Sequence, residues 1–199
     1  MKKIVGLTGV SGIGTDLIIR FLRLSGYYVI EANNIAHKCL YISEIKNCMI
    51  DEVIVDNKVN RKLLGNVCFE NADEMSVWNV MKERFYNILD KDIELISAKT
   101  DKDIIFLNCS AMFETGINSK CNKIVWINNP LQDFMQNLSE KGYSMPAIQG
   151  IFKRIIPERF NFKNKAHYTI NVDNDILISS KVIMRTIIKD VLKENVNEG

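Results

Sequence analysis

The sequence predicts an α/β protein whose parallel sheet is covered by helices on both faces. Three observations carry that prediction. Short apolar runs recur at residues 3–7, 27–30, 103–107, 123–127 and 168–171. Longer stretches with apolar residues at helical spacing separate them. The runs Ile104-Ile105-Phe106-Leu107 and Ile124-Val125-Trp126-Ile127 are apolar throughout, as strands buried on both faces are. Strands alternating with helices imply parallel pairing through crossovers.

The elements follow in order. A helix over 14–25 succeeds the first strand, and Gly26 ends it. Residues 33–48 read as an amphipathic helix. Glu52-Val53-Ile54-Val55 is short and apolar, and Asp56-Asn57-Lys58 is a turn signal. Asn60 caps a helix running to Phe69. Asp73 opens a long helix over 74–98, with Val77, Met81, Phe85, Ile88, Leu89 and Ile93 on one side. Helices over 130–141, 145–155 and 175–194 complete the chain, and the terminal KENVNEG frays.

The 199 residues suit one domain, which at that size buries roughly 70% of its unfolded surface without staples. A net charge of +2 is too balanced to recruit nucleic acid by bulk electrostatics. No apolar run reaches membrane-spanning length. Met1-Lys2-Lys3 leads straight into a strand, not into a signal peptide, so a cytoplasmic location is expected. Cys39, Cys48, Cys68, Cys109 and Cys121 are odd in number, widely spaced and without C-x-x-C, which reads as reduced thiols. With only His37 and His167, a histidine-rich metal site is excluded. Nothing in the sequence selects an oligomeric state.

The stretch GLTGVSGIGTDL, residues 6–17, carries the chemistry. Strand, glycine-rich loop and helix are the layout of a phosphate-binding loop, normally G-x-x-x-x-G-K-[ST]. Gly9-Val10-Ser11-Gly12-Ile13-Gly14 keeps the spacing. Glycines there let successive N–H groups face a phosphate, with the following helix adding its positive terminus. Thr15 stands where the lysine belongs and Asp16 where the hydroxyl residue belongs. Thr15 offers a neutral hydrogen bond. Asp16 puts a negative charge where phosphates lie, and the sign is wrong unless Mg²⁺ bridges the two. The other reading is that Thr15 or Asp16 caps the helix and occupies its free N–H groups.

The chain as a whole resembles the dephospho-CoA kinases. KIVGLTGVSGIGTDLIIRFLRLSGYYVIEANNIAHK (3–38) follows that family's strand, P-loop, helix and second strand. DNKVNRKLLGNVCFENADE (56–74), FLNCSAMFETGINSKCNKIVWI (106–127) and IIPERFNFKNKAHYTINVDND (155–175) resemble its later segments in the same order, over about residues 1–190. The resemblance implies a P-loop NTPase-like three-layer αβα fold with a five-stranded parallel sheet and a helical lid/CoA-domain insertion. The core would span about 1–32 and 100–199, the helical substrate insertion about 33–99, and the lid about 130–157. It implies phosphorylation of the ribose 3′-hydroxyl of dephospho-CoA, with ATP and Mg²⁺.

Carried over residue by residue, the site is heavily substituted. The family's catalytic Asp region reads Glu31-Ala32-Asn33; Asn33 falls where the base would stand and cannot accept a proton. Glu31, two residues away on an extended segment, points elsewhere. The family's "HP" of the middle helices is Glu83-Arg84, and both lid arginines are lost across Gln136-Asn137-Leu138-Ser139-Glu140. Gly6, Gly9, Gly14, Arg61, Leu64, Phe69, Phe113, Glu114 and Pro157 remain. Arg61 and Glu114 are the candidate substrate-binding residues, with helix packing and helix capping as their alternatives. Asp16 is the candidate metal ligand. Lys141, Lys153 or Lys165 could supply a compensating charge. Three functions stay open: a kinase of weak or no activity, a non-catalytic relative binding a nucleotide, CoA or a protein partner, and a kinase of another phosphorylated metabolite.

Overall fold

A computed structural model describes residues 2–9, 13–40, 53–71, 74–128, 131–171 and 176–193. Five strands form one parallel sheet: β1 (Lys3–Gly9), β2 (Val29–Glu31), β5 (Ile104–Asn108), β6 (Lys123–Asn128) and β7 (Tyr168–Asn171). Their order is β2-β5-β1-β6-β7, so β1 is central. The chain leaves β1 for one edge, returns through β5, and then builds the other side with β6. That reversal puts a topological switch point at the carboxyl end of β1, where ligands bind in open α/β sheets.

Two helices cover one face, α1 (Ile13–Leu24) and α8 (Ile176–Lys193). Ile18, Ile19 and Leu22 of α1 and Met184, Ile187 and Val191 of α8 pack on Val5, Leu7, Phe106, Val125 and Ile127. On the other face lie α2 (Ala32–Cys39) and the long α4 (Glu74–Lys99). Ile35, Trp78, Phe85 and Leu89 there meet Ile105, Leu107 and Ile124. Alternation along β5 and β6 sends neighbouring side chains to opposite layers, which is why both runs are apolar throughout.

Gly26 ends α1 as expected. It takes φ 82°, its N–H bonds the Arg23 carbonyl at 3.0 Å, and the Tyr27 N–H bonds the Leu22 carbonyl at 3.0 Å. This Schellman closure uses up Tyr27, so β2 begins two residues later than the apolar run suggests. The turn signal at 56–57 closes a hairpin, with β3 (Ile54–Val55) antiparallel to β4 (Lys58–Val59). Asp56 and Asn57 both take positive φ, 50° and 57°, the pattern of a type I′ turn. Asn60 then caps α3 (Arg61–Asn71), its Oδ1 accepting from the Lys62 and Leu63 N–H groups at 3.1 and 3.2 Å. The expected helix over 33–48 is described only to Cys39, and its remainder lies outside the described residues.

The largest departure is at 145–155. The helix does not stop there but forms a rod to Phe162: α6 (Met145–Gly150), a π-turn (Ile151–Ile155) and α7 (Ile156–Phe162). Pro157 has no N–H to give to the ladder, and the wide π register stands just before it. The helix before the rod, α5, spans Leu131–Glu140.

The rod presses on α3 through its glycines. A Cβ on Gly150 would sit 2.2 Å from the Phe69 carbonyl oxygen, and one on Gly65 would meet the Tyr143 ring at 2.9 Å. Ser144 caps α6 and also hydrogen-bonds Glu70, while its N–H reaches Asn66 Oδ1 at 3.1 Å. Gly150 has ordinary helical φ of −57°. In an exposed helix, Ala there would stabilise by up to about 1 kcal/mol. Here Gly150→Ala is expected to destabilise by about 1–3 kcal/mol in urea titration, because backbone meets backbone. A stabilised variant would show that the two helices separate readily.

Candidate functional site

The carboxyl ends of β1, β5 and β2 bring the sequence-derived site residues to one edge of the sheet. Gly9 ends β1, opposite Ile127 of β6, with φ 136°. Val10, Ser11 and Gly12 lie outside the described residues. Ile13 and Gly14 open α1, and Thr15 and Asp16 complete its first turn. Thr15 is half-buried and has a partner of its own; Asp16 is exposed. The α1 dipole favours a negative group at this end, so Asp16 itself satisfies part of the field that a phosphate would use.

Glu31 is the last residue of β2, and its carboxylate is committed to Arg23 in the last turn of α1. Asn33 is exposed in the first turn of α2. Residues two apart on an extended segment would share a face, contrary to the expectation, but the chain turns here from strand to helix, with Glu31 ending β2 and Asn33 in the first turn of α2. β2 stands two strands from β1, about 10 Å away at ordinary strand spacing. Asn33 carries an amide that cannot take a proton.

Arg61 opens α3 and reaches back to α2, its Nη1 lying 3.1 Å from His37 Nδ1. The contact requires a neutral imidazole whose Nδ1 accepts. Burial, and then the Arg61 charge, hold the His37 pKa below its usual value. Arg61 is engaged with α2 through this contact, and its side chain is exposed.

Glu114 caps no helix. It lies in the turn after β5 and accepts from Arg159 Nε of α7 at 2.7 Å, with both side chains largely buried at 17% and 14% exposure. The same turn is held by Thr8 Oγ1, which donates to the Ser110 carbonyl at 3.3 Å, and by Tyr86, whose hydroxyl donates to the Thr115 carbonyl at 3.0 Å. Sequence reasoning missed Arg159. Its only signal was a basic residue two places after Pro157, indistinguishable from a solvated surface arginine.

The remaining expectations on side chains are met or displaced as follows. Gln136 bonds Glu140 along α5, and Arg84 donates to the Cys39 carbonyl at the end of α2. Lys165 stands over the Phe162 ring at 4.9 Å. Cys39, Cys68, Cys109 and Cys121 form no disulfide among the described residues, while Cys48 is outside them. Burial pushes Cys109 and Cys121 up to about 12, which makes both inert as nucleophiles. Among the described residues no cluster of three or more His, Cys, Asp or Glu could hold a metal ion, and no helix is long and apolar enough to cross a membrane.

Fold and site can now be set beside known proteins. The family model for dephospho-CoA kinase matches residues 3–177. The chain belongs to the dephospho-CoA kinase family. A dephospho-CoA kinase of Fusobacterium nucleatum is 28% identical over 144 residues, covering 69% of this chain and 72% of that one. One from Helicobacter pylori is 28% identical over 148 residues, covering 71% and 74%. Among solved structures, dephospho-CoA kinase from Campylobacter jejuni superposes with a TM-score of 0.64 at 19% identity, covering 96% of this chain and 99% of that one. A shikimate kinase from Bacteroides thetaiotaomicron gives 0.52 at 17%, covering 94% and 98%, a likeness of fold alone. Dephospho-CoA kinase membership implies ATP, generally with Mg²⁺, as phosphoryl donor and dephospho-CoA as acceptor.

The donor set at the start of α1 does not fit that chemistry. A triphosphate needs a cation and a hydroxyl for its metal; the chain offers a hydroxyl and an exposed carboxylate. At about 4 Å and a near-surface dielectric, two unit charges of like sign repel by roughly 4 kcal/mol before screening. No phosphoryl-transfer step follows from these residues.

Proposed function

We propose that this dephospho-CoA kinase family protein has weak or no kinase activity and acts instead by binding a nucleotide or CoA on the inherited scaffold, in the cytoplasm. One observation carries the reading. The first turn of α1 pairs the half-buried Thr15 with the exposed Asp16, where the family motif has lysine and a hydroxyl residue. The acceptor side supports it: Asn33 is an amide, and Glu31 is neutralised by Arg23. Of the candidate compensating lysines, Lys141 and Lys153 are exposed and Lys165 stands over the Phe162 ring.

Calorimetry tests the binding half of the reading. CoA and ATP–Mg²⁺ are titrated separately into the full chain. At least one ligand is expected to bind with Kd below about 1 mM, equivalent to about 4 kcal/mol. If Asp16 takes the ion, ATP is expected to bind more tightly with Mg²⁺ than without it, because the cation stands between two negative groups. Heat from neither ligand would remove the small-molecule reading and leave a protein partner as the scaffold's use.

A further inference from the structure

The rod from Met145 to Phe162 is fastened at two places of different character. Its first half is bolted to α3 by close backbone approach at Gly150, by Ser144 with Glu70 and Asn66, and by Arg154, whose Nη2 donates to the Phe69 carbonyl. Its second half touches the turn after β5 through two contacts. One is the Glu114–Arg159 pair at 2.7 Å; the other is the stack of Phe113 on Phe162, with ring centroids 5.1 Å apart. Between the halves stand the π-turn and Pro157, where the regular hydrogen-bond ladder is broken.

Beneath this rod lies a buried donor. Trp126 of β6 is 1% exposed among Phe134, Leu138, Ile148, Ile151 and Ile156, and its indole Nε1 has no hydrogen-bond partner among the described residues. Phe160 of α7 leans on it at 6.2 Å. The closed packing therefore carries a desolvated N–H that water would satisfy if α7 moved off. Trp126 is in register with Thr8, one residue before Gly9. Whatever uncovers Trp126 also uncovers the sheet beside the glycine loop.

We propose that Glu114 and Arg159 form a latch that keeps α7 closed over Trp126, with the π-turn and Pro157 as its hinge. Releasing the pair lets residues 156–166 open while α6 stays fixed to α3. The latch governs access to the switch-point side of β6, and it does not depend on which ligand binds or on whether any phosphoryl group is transferred. Glu114 and Arg159 are positioning residues here: they act through α7.

Hydrogen exchange and tryptophan quenching test it on the full chain. A Trp78→Phe background leaves Trp126 as the one reporter. In that background Glu114→Gln is expected to speed amide exchange across 156–166 by about tenfold or more, the size expected for losing a charge-assisted bond. It is also expected to raise acrylamide quenching of Trp126. Amides of α1 and α8 keep their rates. The exchanged pair Glu114→Arg/Arg159→Glu restores slow exchange. Unchanged rates at 156–166 would overturn the latch, and so would equal acceleration along the whole chain. If Glu114→Gln fails to fold, the unaltered chain decides in low urea: residues 156–166 must open below the global transition, and opening only with global unfolding overturns the proposal.

Discussion

In a coupled assay with ATP, Mg²⁺ and dephospho-CoA, the chain is expected to form CoA below about 10⁻³ s⁻¹, at least a thousandfold under ordinary kinase turnover of about 1–100 s⁻¹. Two losses set the size. A cation at a transferring phosphoryl group is worth roughly 10³–10⁵ in rate, and Thr15 supplies none. A positioned base contributes typically about 10²–10⁴, and Asn33 cannot be one. The losses do not multiply, because a base has nothing to act on until the phosphates are held in line. The same coupling shapes the response to repair. Asn33→Asp alone is expected to gain little. Thr15→Lys/Asp16→Ser/Asn33→Asp is expected to gain about 10² or more, since it removes the misplaced charge as well as restoring cation and base. Turnover near 1 s⁻¹ by the unaltered chain would sink the weak-activity reading and direct attention to a lysine outside the first turn of α1.

The sheet was legible because its strands are short, β5 and β6 are apolar on both faces, and Gly26 marks the end of α1, while the Asp56-Asn57 turn marked the separate β3–β4 hairpin. Those signals are local, and each rests on a backbone requirement that few residues meet. The rod was not legible. It is held to α3 by Gly150 against Phe69 and by the Arg154–Phe69 bond, which spans 85 residues of chain. No helical periodicity records such a contact. The expected end at 155 falls where the chain instead widens into a π-turn before Pro157 and goes on. At the site, the substitutions at 15, 16 and 33 were readable by position alone. The engagement of Glu31 by Arg23 and of Glu114 by Arg159 was not, because each pairs residues from different elements. Each pairing engages a candidate site carboxylate with an arginine of another element.

The largest stability effect is expected from Gly9→Ala, about 2–6 kcal/mol, whose upper end falls in the class of exceptional single substitutions. Two independent costs meet at this position. A φ of 136° is foreign to residues with a Cβ, and holding one there costs of order 1–3 kcal/mol. The added Cβ would also stand 2.1 Å from the Ile127 carbonyl oxygen, an overpacking of about 1–3 kcal/mol. Neither can relax cheaply, since β1 is the central strand and Ile127 is fully buried beside it. Gly26→Ala is the control. It shares positive φ, 82°, but its Cβ would meet only the flexible end of Lys102 at 3.4 Å. Its expected cost is about 1–2 kcal/mol. Urea titrations of the two variants at unchanged m isolate the contact with Ile127. Values within 1 kcal/mol of each other would show that β6 yields and that the close approach contributes little. The expected difference bears on the loop's purpose. If the sheet alone demands Gly9, its presence is no sign of a bound phosphate. A chain that has given up the lysine and hydroxyl of the motif would then still have to keep the glycine on which β1 and β6 close.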